Sequence, residues 1–265
     1  MTPVLFIHGL WIHASAWRPW LSLFDESGYS AQAPGWPGDG ETVEDTRLHP
    51  ERLAGIGIDQ LTDHYAAIAA QLPQKPIVVG HSFGGLVAQK LLAADVARAA
   101  VAIDPAPIKG VRALPLAQIR SALPVVSNKA NTDRAVSLTA RQFRYGFGNA
   151  LSRSESDQLH GFYSIPGPGR PVFELTGAKH DPSSPTRVRL DDTHRGPLLV
   201  LGGTKDHTIP EIVARQAAAL YEPGSNTQYR RVEGRGHSLV FDSGWQSVAQ
   251  TVLDWISEHD RAAEH

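Results

Sequence analysis

Apolar residues along this chain follow two alternating patterns. Short unbroken runs at 4–7, 77–79, 99–103 and 197–201 suit parallel strands covered on both faces. Between them the apolar positions take a helical spacing: in 58–72 they stand at Ile58, Leu61, Tyr65, Ile68 and Leu72. Segments 16–24, 212–220 and 245–256 read as helices too, and 28–33 and 228–232 as two further strands. Six strands separated by helices predict an α/β fold: a doubly wound, mostly parallel six-stranded sheet, helices on both faces, crossovers right-handed. Residues 34–40, with two prolines and three glycines, form a loop leaving the second strand.

The alternation lapses between 108 and 195. Prolines at 115, 124, 166, 168, 171, 182 and 185 break the apolar stretches, leaving helices expected at 116–123, 135–145 and 155–163. Phe143, Tyr145, Phe147, Phe162, Tyr163 and Phe173 are too many aromatics for a solvated linker. The chain therefore divides into a core, 1–107 and 196–265, and an inserted helical cap or lid, 108–195. The charged tail from Glu258 is expected to fray.

One stretch carries a chemical signature. Ile77-Val78-Val79 runs into Gly80-His81-Ser82-Phe83-Gly84-Gly85 and then a helix-favouring run. This is G-x-S-x-G at a strand-to-helix corner, the nucleophile elbow. The pentapeptide alone is a weak signal; the strand before it and the helix after it make the case. Glycines two before and two after the serine are needed because strand and helix crowd together there.

Composition narrows the chemistry by exclusion. At 265 residues with 42% hydrophobic and 20% charged content, the chain can bury a large core. A formal net charge of −2 gives no overall attraction to nucleic acid or an anionic membrane, so neither is expected as a partner. No cysteine is present, which removes thiol nucleophiles, disulfides and thiolate metal sites. Met1 to Ile7 lacks the basic start and cleavage site of a secretion signal, and no apolar run reaches membrane length. A cytoplasmic protein is expected.

Ligands of open α/β sheets bind outside the carboxyl ends of the strands, so the residues following each strand enumerate the candidate site. They are His8-Gly9-Leu10, Ser82, Asp104, Gly203-Thr204-Lys205-Asp206-His207 and Gly236-His237-Ser238. A serine hydroxyl needs a base, and the base needs an anion behind it. His237 is the expected base and Asp206 the expected anion, with Asp104 as the alternative acid. His81, beside the nucleophile, is expected to point away, into the structure; His8, His13 and His207 are expected to brace backbone. A His/Asp metal centre is not favoured, since no H-x-H or H-E-x-x-H spacing occurs. The oxyanion donors are expected to be the amides of Phe83 and Leu10, with Trp11 as the alternative to Leu10. Trp11, Asp104, Pro105, Phe143, Ile209 and Leu239 are candidate pocket walls.

These motifs, in the chain order Ser82, Asp206, His237, resemble the α/β-hydrolase superfamily over nearly the whole length. The chain departs from it by opening directly on the strand that carries His8-Gly9, so the resemblance implies that fold without its first two strands. Ser82 argues against the dehalogenases and epoxide hydrolases of the superfamily, which use an aspartate nucleophile. Gly9 and Ser238 stand where plant hydroxynitrile lyases carry threonine and lysine. The resemblance implies a serine hydrolase cleaving carboxylic esters of small to medium, largely apolar substrates, without a cofactor. Lactonase, amidase, carbon–carbon bond hydrolase and cofactor-free perhydrolase remain open on the same residues. A non-catalytic receptor for a small ligand remains open on the same fold.

Overall fold

The computed structural model describes residues 1–262. The first strand, β1 (Pro3–Ile7), is buried at every position, which explains its lack of polar residues. A 3-10 turn leads into α1 (Arg18–Glu26), whose first turn carries Pro19 where a missing N–H leaves nothing unpaired. Then come β2 (Ser30–Gln32), α2 (Val43–Leu48), α3 (Ile58–Ala69), β3 (Ile77–His81), α4 (Phe83–Ala93) and β4 (Ala99–Ile103). Between β4 and the next sheet strand lie α5 (Leu116–Val126), β5 (Ala135–Val136), α6 (Ala140–Gly146), α7 (Arg153–Tyr163), β6 (Gly167–Pro168) and α8 (Arg170–Gly177). The chain closes with β7 (Leu198–Gly203), α9 (Glu211–Ala219), β8 (Thr227–Val232) and α10 (Trp245–Ala262).

The main sheet has the order β2-β1-β3-β4-β7-β8, and every neighbouring pair in it is parallel. This is the six-stranded α/β sheet expected from the sequence. The chain leaves β1 for β2 on one side and returns to β3 on the other, so the sheet reverses direction between β1 and β3. A crevice opens outside the carboxyl ends at such a reversal, and here it faces the segments after Ile7 and His81. α4 is buried along its length except at Lys90, as a helix clamped between a sheet and its neighbours should be. On one face of β1, Phe6 meets Trp17 at 5.0 Å and the edge of Phe24 at 5.1 Å. Trp20 in the same cluster donates its indole N–H to the Val240 carbonyl at 2.7 Å.

Some local expectations change. Helix α2 lies in a region expected to be loop; Thr42 caps it by accepting from the Asp45 amide, but six residues hold too little apolar periodicity to reveal it. The helix expected at 135–145 begins only at Ala140. Thr139 and Gln142 form a reciprocal capping box there, while Ala135–Val136 pairs antiparallel with Gly167–Pro168. Pro171, read as a breaker, occupies the first turn of α8, where proline is tolerated. Helix α10 continues through Ala262 instead of fraying from Glu258; residues 263–265 of that expected tail lie outside those described.

Candidate active site

Ser82 stands between β3 and α4 at φ 57°, ψ −120°, a conformation costly for any residue with a side chain. The surroundings hold it there: its amide donates to Ile103 O at 3.0 Å, and its carbonyl accepts from Ala106 at 2.9 Å. The two flanking glycines are required by contact. A Cβ on Gly80 would drive into the Gly84 carbonyl, and one on Gly84 into the carbonyls of Ile7 and His8. Gly9 is equally constrained, since a Cβ there would lie 2.7 Å from that of Ser82. The elbow and the loop after β1 thus touch, and bulk at any of these positions would separate them.

His237 lies on the loop after β8 and is wholly buried. Its Nδ1 is 2.5 Å from Asp206 Oδ2. Asp206 Oδ1 accepts from the Thr208 and Ile209 amides at 2.6 and 2.8 Å, so both carboxylate oxygens are occupied and the side chain cannot swing. With Nδ1 committed to the carboxylate, the proton sits there and Nε2 is left as the basic nitrogen. That Nε2 is buried without a hydrogen-bond partner, and no hydrogen bond joins it to Ser82 Oγ among the described residues. Burial holds the imidazole below its usual pKa, down to about 4. Burial likewise raises Asp206, to about 7, against the hydrogen bonds from the Ile209 and Thr208 amides.

The remaining expected residues take distinct places. Asp104, at φ 41°, is fully buried; its Oδ1 accepts from the Gly203 amide at 2.6 Å. Its Oδ2 lies 4.0 Å from His237 Nδ1 and has no hydrogen-bond partner. It sits behind the imidazole rather than on an open wall, and burial, then the charge of Asp206, pushes its pKa well up. Phe83 opens α4, where the first amides lack intrahelical acceptors and the helix dipole is positive. Leu10 and Trp11 follow β1, and neither their amides nor that of Phe83 has an acceptor among the described residues. Trp11 has φ 69° and donates its indole N–H to Val136 O at 3.0 Å. Ile209 serves through its amide, and Leu239 is wholly buried just beyond His237.

Two corrections concern aromatic rings. His81 does not turn away from the site: its ring centroid lies 4.5 Å from that of His237, because the loop after β8 folds back over the elbow. Phe143 is not a wall facing His237 but the layer behind it, stacked at 5.0 Å and 3° on Phe147. Phe147 itself meets the His237 ring edge-on at 4.8 Å and the Trp11 ring at 6.3 Å. Sequence reading placed Phe147 in the inserted segment without assigning it to the site. Its position four residues after Phe143 on a helical period was the available signal.

The bracing histidines behave as expected of them. His8 Nε2 is 3.0 Å from Asp39 Oδ2, both side chains almost fully buried, and its ring stacks on Trp36. His13 reaches Gly40 O at 3.2 Å, and His207 reaches Tyr145 O at 3.0 Å. The Ser238 hydroxyl donates to Asp242 at 2.9 Å. His81, Asp104 and His237 each bring one potential metal-donor atom within 4.8 Å of the others. The same atoms are accounted for as a buried imidazole–carboxyl cluster, and no metal is assigned to them.

Residues 4–251 match the model of the alpha/beta hydrolase family. The chain belongs to that family. No curated protein matches it in sequence. Among solved structures it is similar to a methylesterase from Arabidopsis, at 17% identity, TM-score 0.66, covering 97% of this chain and 99% of that one. A monoacylglycerol lipase from Paleococcus ferrophilus is similar at 20% identity and TM-score 0.68, covering 97% and 94%. A pyrethroid hydrolase from Sphingobium faniae is similar at 16% and 0.65, covering 100% and 99%. At these identities the likeness concerns the fold. Among the described residues, no helix is long and apolar enough to cross a membrane.

Proposed function

We propose that the protein is a serine hydrolase that cleaves carboxylic esters through an acyl-enzyme, with Ser82 as nucleophile, His237 as general base and Asp206 as its orienting anion. The observation that carries this reading is the 2.5 Å contact between His237 Nδ1 and Asp206, beside a serine held at positive φ. A strained, glycine-walled serine has no packing purpose, whereas a nucleophile must be lifted clear of its sheet. The names of the similar structures, a methylesterase, a lipase and a hydrolase, agree in kind.

In the proposed cycle, rotation of the Ser82 hydroxyl brings its proton to the free His237 Nε2 as Oγ attacks the ester carbonyl. Asp206 stabilises the imidazolium. The Phe83 and Leu10 amides, both without acceptors in the resting protein, receive the oxyanion; loss of one such donor costs about 3 kcal/mol of transition-state stabilisation. His237 then protonates the leaving alcohol and activates the water that releases the acid. Residues 108–195 act as the cap, and Phe147 with Trp11 presents apolar surface to the substrate, which favours a largely apolar acyl or alcohol group. No cofactor enters this cycle.

The test is covalent. A fluorophosphonate probe should label the wild type and fail on Ser82→Ala, which should also lose hydrolysis of p-nitrophenyl butyrate while melting as the wild type does. Labelling of another residue, or undiminished turnover in Ser82→Ala, refutes the assignment.

A further inference from the structure

Helix α5 packs Val125, Ala122 and Val126 inward but leaves three larger apolar residues outside. Gln118 and Val125 are buried, whereas Leu116 is 84% exposed, Ile119 39% and Leu123 48%. At about 100° per residue these three fall within an arc of roughly 60°, opposite the buried pair. Leu114, just before the helix, is 67% exposed as well. Scattered exposed leucines are ordinary, but a contiguous stripe on one helix face marks an interaction surface.

The charges around the stripe say what covers it. Between residues 105 and 132 there are four basic residues and no acidic one, in a chain whose net charge is −2. Lys109 is engaged with the Asp181 carbonyl. The other three, Arg112, Arg120 and Lys129, are exposed and make no ion pair among the described residues. Arg112 precedes the helix, Lys129 follows it, and Arg120 borders the stripe with its guanidinium 4.0 Å from the Tyr145 ring centre. A second copy packed symmetrically on this face would bring two sets of these cations together, and Asp133, the nearest acid in sequence, is already paired with Arg170. Four side chains also fall well short of the roughly 800 Å² per partner of a standard interface. Apolar side chains framed by unpaired cations match the boundary between acyl chains and anionic headgroups.

We propose that the outer face of α5 docks on an anionic lipid surface, its leucines and isoleucine entering the acyl boundary while the three cations meet headgroup phosphates. The inner face of α5 is tied to the site, since Ser121 Oγ donates to His207 O at 3.3 Å on the loop that carries Asp206. The inference concerns binding and does not depend on the esterase reading.

Vesicle flotation tests it, using pure phosphatidylcholine and a 7:3 mixture with phosphatidylglycerol. Each basic residue near such a surface contributes about fivefold, so binding to the mixed vesicles should be on the order of 100-fold tighter and should weaken as salt rises. Leu116→Ser/Leu123→Ser should weaken binding at least about tenfold, and Arg112→Glu/Arg120→Glu/Lys129→Glu should abolish the lipid preference. Both variants alter exposed positions and should keep the wild-type hydrolysis of soluble p-nitrophenyl acetate. Ser82→Ala should bind vesicles as the wild type does, which separates this proposal from the catalytic one. Equal binding to both vesicle types overturns it, as does binding indifferent to the double leucine variant or lost in Ser82→Ala. Sedimentation showing a dimer that the leucine variant dissociates also overturns it, by assigning the face to a second copy.

Discussion

Two buried carboxyl groups flank His237 Nδ1, and exchanging them one at a time for amides tests which one orients the base. Asp206→Asn replaces the acceptor 2.5 Å from Nδ1. The two backbone amides on Oδ1 require an oxygen there, so the new NH₂ must face the imidazole. Two donors cannot share that contact, and the ring answers by moving its proton to Nε2, the atom that must accept from Ser82. Loss of the same orienting group costs serine proteases about 10⁴-fold, or about 5.5 kcal/mol of transition-state free energy. Asp104 cannot stand in without movement, because its Oδ2 is 4.0 Å away and Oδ1 is held by Gly203. Asp104→Asn should therefore change kcat/KM less than tenfold. The assay is steady-state hydrolysis of p-nitrophenyl butyrate by both variants. An Asp104 variant more damaged than the Asp206 variant refutes the assignment. Stability gives a second reading. Burial raises the Asp104 pKa well above 3.8, so above that pH the folded protein holds a proton the unfolded chain has released, and stability falls as pH rises. The slope reaches about 1.4 kcal/mol per pH unit. Melting curves from pH 5 to 8 should show a smaller loss in Asp104→Asn than in the wild type; parallel losses would mean that Asp104 is ionised in the fold.

Two further perturbations probe the same site. Gly84→Ala forces a methyl into the carbonyls of Ile7 and His8; overpacking of this kind costs about 1–3 kcal/mol, or roughly 2–4 °C in Tm per kcal/mol at this chain length. Because those carbonyls lead into the loop bearing Leu10, turnover should fall too, and unaltered calorimetry and turnover would show that the elbow has slack. Burial holds the His237 imidazole below its ordinary 6.5, and the proposed base works when neutral. Burial lifts Asp206 to about 7, and the cycle needs it ionised, so the acid limb of kcat/KM should lie near pH 7, and a limb below pH 5 contradicts the buried setting.

The sheet was legible because each buried strand is an uninterrupted apolar run and each long helix repeats its apolar residues over several turns. The inserted segment was less legible because its elements are short. Ala135–Val136 is a two-residue strand, too brief for any period, and the first turn of α8 holds a proline that also signals an ending. Among site residues, Ser82, Asp206 and His237 could be nominated since each follows a strand beside glycines. Phe147 could not, for its spacing from Phe143 marks a shared helix face without saying that this face meets His237.

The same limit explains why the exposure of α5 appears only in three dimensions. Its sequence alone reads as an ordinary amphipathic helix, with Leu116, Ile119 and Leu123 on the face a reader would assign to the core. Packing reverses that choice: Asn131 Nδ2 donates to Val125 O at 2.9 Å, Ser121 turns toward the Asp206 loop, and the leucines face outward. Val125, Ala122 and Val126 pack inward beside Gln118, but leaving Leu116, Ile119 and Leu123 outside forgoes the larger apolar transfer. A fold that keeps this arrangement needs its compensation elsewhere, either in the hydrogen bonds beneath α5 or in what its outer face meets. Ser121→Ala separates the two. It removes the contact to His207 O without touching the stripe, so it should lower turnover of a soluble ester while leaving vesicle binding at the wild-type level.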